Sequence, residues 1–255
     1  MVESKRSQEI ESVRKTSQVL WGLKELGGAG VSQLAKHLDM PKTTVHAHLQ
    51  TLHSCELVSK VENEYRIGLQ FVGLGEFVKN QLDLYPIAKK EVDILAEESR
   101  DMAQFMIEEH GRGVYLYKAE PPRGVNTIAG VGDRRPLHCT GLGKAILSCY
   151  SEERVREIVD RHGMPAMTEN TITDPDELTN ELEVVRDRGY AIDDEEIQPG
   201  LRCVAAPVNA DNTSDVGAVS VSGPTGRFKH DRLETELPEL VTSAANVIEI
   251  NARNT

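Results

Sequence analysis

Strict alternation in Ala218-Val219-Ser220-Val221-Ser222 puts two hydroxyls on one face of a strand and two valines on the other. Such a pair of hydroxyls either faces water or binds a polar ligand, and the alternation alone leaves both open. Cys203 is a thiol of nucleophilic type, but its segment holds no histidine to activate it. The run Asp193-Asp194-Glu195-Glu196 has oxygen donors for a divalent cation, yet acidic runs are ordinarily solvated strand ends, which is the expectation here. Gly141-x-Gly143-Lys144-Ala145 has the look of a phosphate loop without the GxxxxGK[ST] spacing or the magnesium-binding hydroxyl, so Lys144 is expected to be solvated or capping. His46-x-His48, near His53 and Cys55, imitates a metal cluster. On a helix, positions i and i+2 point about 200° apart, so the two rings cannot share an ion. No metal, cofactor or catalytic residue is expected, and the chain is not read as an enzyme.

A second constellation is Lys42, Thr43, Thr44, His46, Ala47 and Gln50. Lysine and threonine hydroxyls near a helix start suit phosphate contacts. Histidine and glutamine present donors and acceptors to base edges, and alanine can touch a thymine methyl. These residues need a helix that enters the major groove, and the flanking sequence supplies its frame. Ser12–Leu26 has Val13, Val19, Leu20, Leu23 and Leu26 at helical spacing and stops at Gly27-Gly28. Ser32–Leu38 reads as a short helix with Ser32 as N-cap, and Pro41 fits the first turn of a third helix reaching Ser54. Strands at Leu57–Val61 and Tyr65–Gly68 follow, joined by a polar turn, with Lys60 placed to reach a flanking phosphate. Three helices and a hairpin in this order make a winged helix-turn-helix.

A fourth helix over Leu69–Gln81 leads to Pro86, where a second domain is expected to begin. Beyond it come a helix at Ile87–Ser99 and strands near Ala103–Glu108, Val114–Glu120 and Asn126–Val131. A helix at Gly141–Cys149 and one opened by the capping box at Asp174 and closed by Gly189 follow. Strands near Tyr190–Glu195, Arg202–Asn209 and Val216–Ser222 precede a terminal helix over Leu233–Ala252. The fold class is α+β. The domains expected are 1–68 (winged helix-turn-helix), 69–85 (linker helix) and 86–255 (the α+β domain).

The net charge of −12 is at odds with DNA binding until it is divided. Residues 1–80 carry 10 Lys+Arg against 9 Asp+Glu, and residues 81–255 carry 19 against 32, so the acidity belongs to the larger domain. Few aromatics, modest lysine and abundant acid suggest a salt-rich host, the alternative being an ordinary acidic domain. In molar salt the Debye length is about 3 Å, so short-range contacts would carry DNA recognition. No apolar run reaches membrane-spanning length, no signal peptide is read at the N-terminus, and the four cysteines form no CxxC pair, which fits a reducing cytoplasm.

VSQLAKHLDMPKTTVHAHLQTL and YRIGLQFVGLGEFV resemble the opening of the IclR family of transcription regulators. PLHCTGLGKAILSCYSEE, RGYAIDDEEIQPGLRCVAAPV and VGAVSVSGPTGRF are similar to three later segments of that family, in order, so that the resemblance spans about residues 12–250. It implies a GAF-like C-terminal domain that binds a small effector, with a pocket formed by Asp193, Cys203, Ser220, Ser222 and the Thr140-Gly141-Leu142 turn. The effectors implied are carboxylates or sugar-derived acids, with Asp193 accepting from a ligand hydroxyl or protonated against a carboxylate. It also implies double-stranded operator DNA as partner, homodimers or dimers of dimers, a repressor or activator role, and control of sugar or organic-acid catabolism. Many members have arginine where Ala47 stands and leucine where His48 stands, so operator preferences do not transfer. The competing class is a metabolite-binding or hydrolytic domain whose N-terminal helices serve only assembly.

Overall fold

The computed structural model describes residues 9–120, 129–210 and 215–254. The chain divides into two compact units after Val78. Unit 1 contains α1 (Glu11–Leu26), α2 (Val31–His37), α3 (Lys42–Ser54), β1 (Val58–Val61) and β2 (Glu64–Ile67), and α4 (Gln70–Asn80) runs across the division. Gly27, at φ 67°, closes α1 by donating its N–H to the Leu23 and Lys24 carbonyls. Asp39 takes a positive φ of 51° in the turn before α3. The strands pair from Val58↔Ile67 to Val61↔Glu64 around the two-residue turn Glu62-Asn63, with Glu62 at φ 55°. Val19, Leu23, Leu34, Val45, Leu49, Leu52 and Tyr65 pack into one core.

The sequence expectations need three corrections in this unit. The N-cap of α2 is Gly30, with Ser32 inside the first turn, because the extended backbone at Gly30 already starts the helix. Pro41 is the N-cap of α3 rather than a first-turn residue, and its carbonyl accepts the Val45 N–H at 3.1 Å. Val13, expected in the stripe of α1, is exposed, since that stripe meets the core only from Val19 onward.

Unit 2 opens with α5 (Leu84–Ser99), so Pro86 lies in the first turn of a helix instead of ahead of it. A backbone N–H in that turn would have no partner within the helix, so proline, which has none, costs nothing there. The strands β3 (Met102–Glu109), β4 (Arg112–Ala119), β5 (Arg134–Arg135), β6 (Ala191–Asp194), β7 (Leu201–Asn209) and β8 (Val216–Pro224) form one antiparallel sheet in the order β5-β4-β3-β8-β7-β6. Helices α6 (Gly141–Ser148), α7 (Glu152–His162) and α8 (Pro175–Arg188) precede β6, and α9 (Leu237–Arg253) ends the chain after a π-helical turn at Arg232–Glu236. The Asp174 carboxylate caps α8 by accepting the Asp176 and Glu177 N–H groups at 3.0 Å, and Gly189 closes it at φ 81°, as expected. Helix α7 has no counterpart among the sequence expectations. The strand expected near Asn126–Val131 lies partly outside the described residues, and 129–131 are not a strand.

Alternation gives the sheet two apolar faces. Phe105, Val204, Val208, Val219 and Val221 pack with α5 and α9, whereas Met106, Tyr115, Cys203, Ala205 and Ala218 pack with α6 and α8. Ser220 and Ser222 therefore point to the α6 side. Both are buried, so neither faces water.

Candidate functional site

Two sites are positioned by these units, one on α3 and one under α6. On α3, Val45, Leu49 and Leu52 face the core, which leaves Lys42, Thr43, His46, Ala47 and Gln50 as an exposed stripe and Thr44 half-buried. The Gln50 amide donates to the Tyr65 hydroxyl at 3.1 Å and stands 3.4 Å from His46 Nε2. Tyr65 is buried on β2 of the wing, where its backbone pairs with Ala29. Lys60 lies over the same ring, 5.4 Å from its centroid. Tyr65 thus ties the wing to α3, alongside the core that Leu52 and Val58 share. His48 turns the other way, its Nδ1 2.9 Å from the Thr16 hydroxyl, so the two α3 histidines diverge as the helical spacing requires.

In unit 2 a cavity of about 270 Å³ lies between the sheet and the start of α6. Thr140, Gly141, Leu142, Asp193, Cys203 and Ser222 line it, which is six of the seven residues named from the sequence; Ser220 lies behind the lining, fully buried. Cross-strand register explains the gathering, because Asp193 pairs with Cys203 and Cys203 with Ser222 in one row. Thr140 caps α6, its Oγ1 accepting the Gly143 N–H at 2.9 Å. The helix packs so tightly on the sheet that a Cβ on Gly141 would sit 3.1 Å from Cys203 Sγ. Gly141 and Leu142, which line this space, stand at the start of α6, where backbone N–H groups have no partner within the helix.

Gln104, Tyr115, Arg135, Met167 and Gln198 also line the cavity and were not named from the sequence. Gln104 was legible, being the polar residue of the otherwise apolar run Met102–Ile107. Arg135 gives no local signal. The Ser220 Oγ is buried without a hydrogen-bond partner among the described residues.

Two expectations from the acidic and glycine-rich motifs are overturned. Lys144 is 2% exposed, neither solvated nor capping, and is ion-paired with Glu196. Asp193 and Glu196 are buried rather than forming a solvated strand end. Asp193 Oδ1 accepts the Glu196 N–H at 2.8 Å, which turns the chain back over the cavity. Thr168 and Thr171 hold the carbonyls of Glu195 and Glu196 at 2.7 Å. Only Asp194 keeps a solvated role, paired with Arg202 at 2.6 Å.

Burial pushes the Asp193 carboxyl up to about 7, with the nearby Glu196 charge adding to the shift. Burial likewise pushes the Cys203 thiol up to about 12, so it stays protonated and lacks the thiolate character of a nucleophile. Folded Asp193 holds its proton between 3.8 and about 7, where the unfolded chain has released it, so this group's contribution to stability is lost as pH rises through that window. Asp193→Asn is therefore expected to flatten the fall in stability of unit 2 across that range, at up to about 1.4 kcal/mol per pH unit. Urea denaturation at several pH values checks this, and an unchanged slope would mean that Asp193 does not carry the proton.

The comparisons with known proteins agree for both units. The model described as the IclR helix-turn-helix domain matches residues 12–62, and that described as the bacterial transcriptional regulator IclR C-terminal matches residues 77–250. The probable HTH-type transcriptional regulator ArcR of Halobacterium salinarum is 33% identical over 245 residues, covering 94% of this chain and 93% of that protein. The crystal structure of an IclR transcriptional regulator from Alicyclobacillus acidocaldarius aligns with a TM-score of 0.81 at 26% identity, covering 96% of this chain and 99% of that one. An IclR homologue from Microbacterium hydrocarbonoxydans, solved in complex with 4-hydroxybenzoate, shares the fold with a TM-score of 0.80 at 18% identity, covering 96% of this chain and all of that one. With its winged helix-turn-helix and α+β effector-type domain, the chain belongs to the IclR family of DNA-binding transcription regulators.

Proposed function

We propose that the chain reads double-stranded operator DNA with Lys42, Thr43, Thr44, His46, Ala47 and Gln50 on α3, and with Lys60 on the wing. A small carboxylate or sugar-derived acid held under α6 switches that binding. The observation that carries the second half is the cavity itself, where a helix N-terminus, the Ser222 hydroxyl, the Cys203 thiol and a protonatable Asp193 converge. N–H and O–H donors around one space favour an anion. The 4-hydroxybenzoate complex of the Microbacterium homologue is of the same chemical class.

Operator reading by paired half-sites requires two copies. Leu69, Val72, Leu74, Phe77 and Val78, on or next to α4, are all exposed, Phe77 by 61% and Leu69 by 87%, and a second chain would cover them. The regulator acts in the cytoplasm as a dimer or dimer of dimers, on genes of sugar or organic-acid catabolism, as repressor or activator. It is built for a salt-rich interior, the acidity of residues 81–255 being the support for that. Effector binding shifts the equilibrium between operator-competent and incompetent dimers, with α4, which joins the units, as the connecting segment.

Footprinting upstream of the protein's own gene and its neighbours, over a range of salt, tests the DNA half. Thr44→Ala with His46→Ala is expected to weaken operator binding by tenfold or more, at about 1–3 kcal/mol per lost base contact, and to leave the melting temperature in place. Ser220→Ala with Ser222→Ala is expected to keep basal operator binding and lose the response to the acid. An intact footprint in the first variant, or an intact response in the second, refutes the corresponding assignment.

A further inference from the structure

Arg135 lies on β5, at the opposite edge of the sheet from β6, which carries Asp193, yet both side chains line the same cavity. The lining between them runs across the strands: Tyr115 on β4, Gln104 on β3, Ser222 on β8 and Cys203 on β7. Neighbouring strands lie about 4.8 Å apart, so the floor from β4 to β7 is about 14 Å long between backbones. The cavity is an elongated slot with the α6 N-terminus over its β7 end and Arg135 entering from its β5 edge.

The two ends are both electropositive. Gly141, the first residue of α6, sits against Cys203 and presents the helix dipole. Arg135 is half-buried and has no carboxylate or hydrogen-bond partner among the described residues, whereas its neighbour Arg134 is engaged by Glu109. A guanidinium is always charged, and its planar fork matches a carboxylate. Asp193 is the only carboxylate in the lining among the described residues, and its proton is retained up to near neutral pH. One anionic group on a ligand would satisfy the α6 end and leave the guanidinium facing an uncompensated space.

We propose that the effector is a dianion, a short dicarboxylic acid, with one carboxylate at the α6 N-terminus and Ser222 and the second bound by Arg135. This rests on the reading of the cavity as a carboxylate site and specifies which carboxylates it selects. Arg135 is then the residue that sets the preference for two charges over one. The slot's length sorts diacids by chain length, and Tyr115 and Gln104 line its middle.

Calorimetry on the full-length protein with succinate against butyrate, and glutarate against valerate, tests this with acids matched in length. Each diacid is expected to bind about tenfold or more tightly than its monoacid. Arg135→Gln removes that preference without weakening the monoacid, and Arg135→Lys, which keeps the charge but not the fork, retains part of it. Equal affinities within each pair in the wild type, or a preference that survives Arg135→Gln, overturn the proposal and leave the carboxylate site standing. Should the Gln variant melt below the assay temperature, the Lys variant decides, a full preference being the contrary result. No binding of any of the four acids at millimolar concentration refutes the carboxylate site itself, and the Arg135 role with it.

Discussion

Gly143→Ala is expected to destabilise unit 2 by more than about 3 kcal/mol, and to lower its melting temperature by about 10 °C. A Cβ on Gly143 would stand 2.1 Å from the Leu137 carbonyl oxygen and within 2.6 Å of that residue's Cα and carbonyl carbon. Those atoms are backbone, so no rotamer change relieves the overlap. Either the segment through Leu137 moves outward or α6 lifts from the sheet. Both Leu137 and Leu142 are buried in the core shared by α6 and α8, so either movement opens voids there. Gly226→Ala is the control, since a Cβ there meets nothing within 4 Å. Its melting temperature is expected to stay within a degree or two of the wild type. Scanning calorimetry reads both variants, and a loss below about 1 kcal/mol for Gly143→Ala would show that α6 is not seated as closely as described.

The same helix marks how far the sequence alone reached. Features set by neighbouring residues were legible: the Asp174 cap and Gly189 stop of α8, the α3 stripe, and the inward serines of β8 once the resemblance chose between faces. The pocket residues came from that resemblance, and the register of β6, β7 and β8 brings Asp193, Cys203 and Ser222 into one row. Helix α7 was missed because it buries only Val155 and Ile158, too few apolar positions to betray a period, although Ser151 and Gly163 stand at its two ends. Lys144 was misread because its partner Glu196 lies 52 residues further on, and charge beside glycine looks like a solvated turn until that partner is in place. Arg135 was invisible for the same reason, as only the pairing of β5 with β4 carries it to the cavity. What failed to show in the sequence were groups whose environment is made by distant strands.

Lys144→Met is expected to cost about 3–5 kcal/mol at neutral pH, and adding Glu196→Gln is expected to recover most of that loss. Lys144 and Glu196 are both buried and ion-paired, with Glu181 at 3.6 Å from the ammonium and itself bound by Arg188 at 3.1 Å. Removing the lysine alone strands a buried carboxylate, one oxygen of which already lacks a hydrogen-bond partner. Removing both charges leaves neutral groups of similar shape, which a protein interior tolerates. Burial holds the Glu196 carboxyl above its ordinary range, and the lysine is the main influence lowering it. Without Lys144 the folded-state value rises further, so Glu196 takes up a proton on mild acidification. The folded form of Lys144→Met then gains relative to the unfolded chain as pH falls, and its deficit against the wild type shrinks. A deficit independent of pH, or one left untouched by the second substitution, would mean that Lys144 acts through packing of its methylenes. The pair also bears on the cavity, because the Glu196 N–H holds Asp193 Oδ1. Without the Lys144 cation the charge of Glu196 stands uncompensated beside the slot, so Lys144→Met should bind anionic acids more weakly than the double variant does at the same pH.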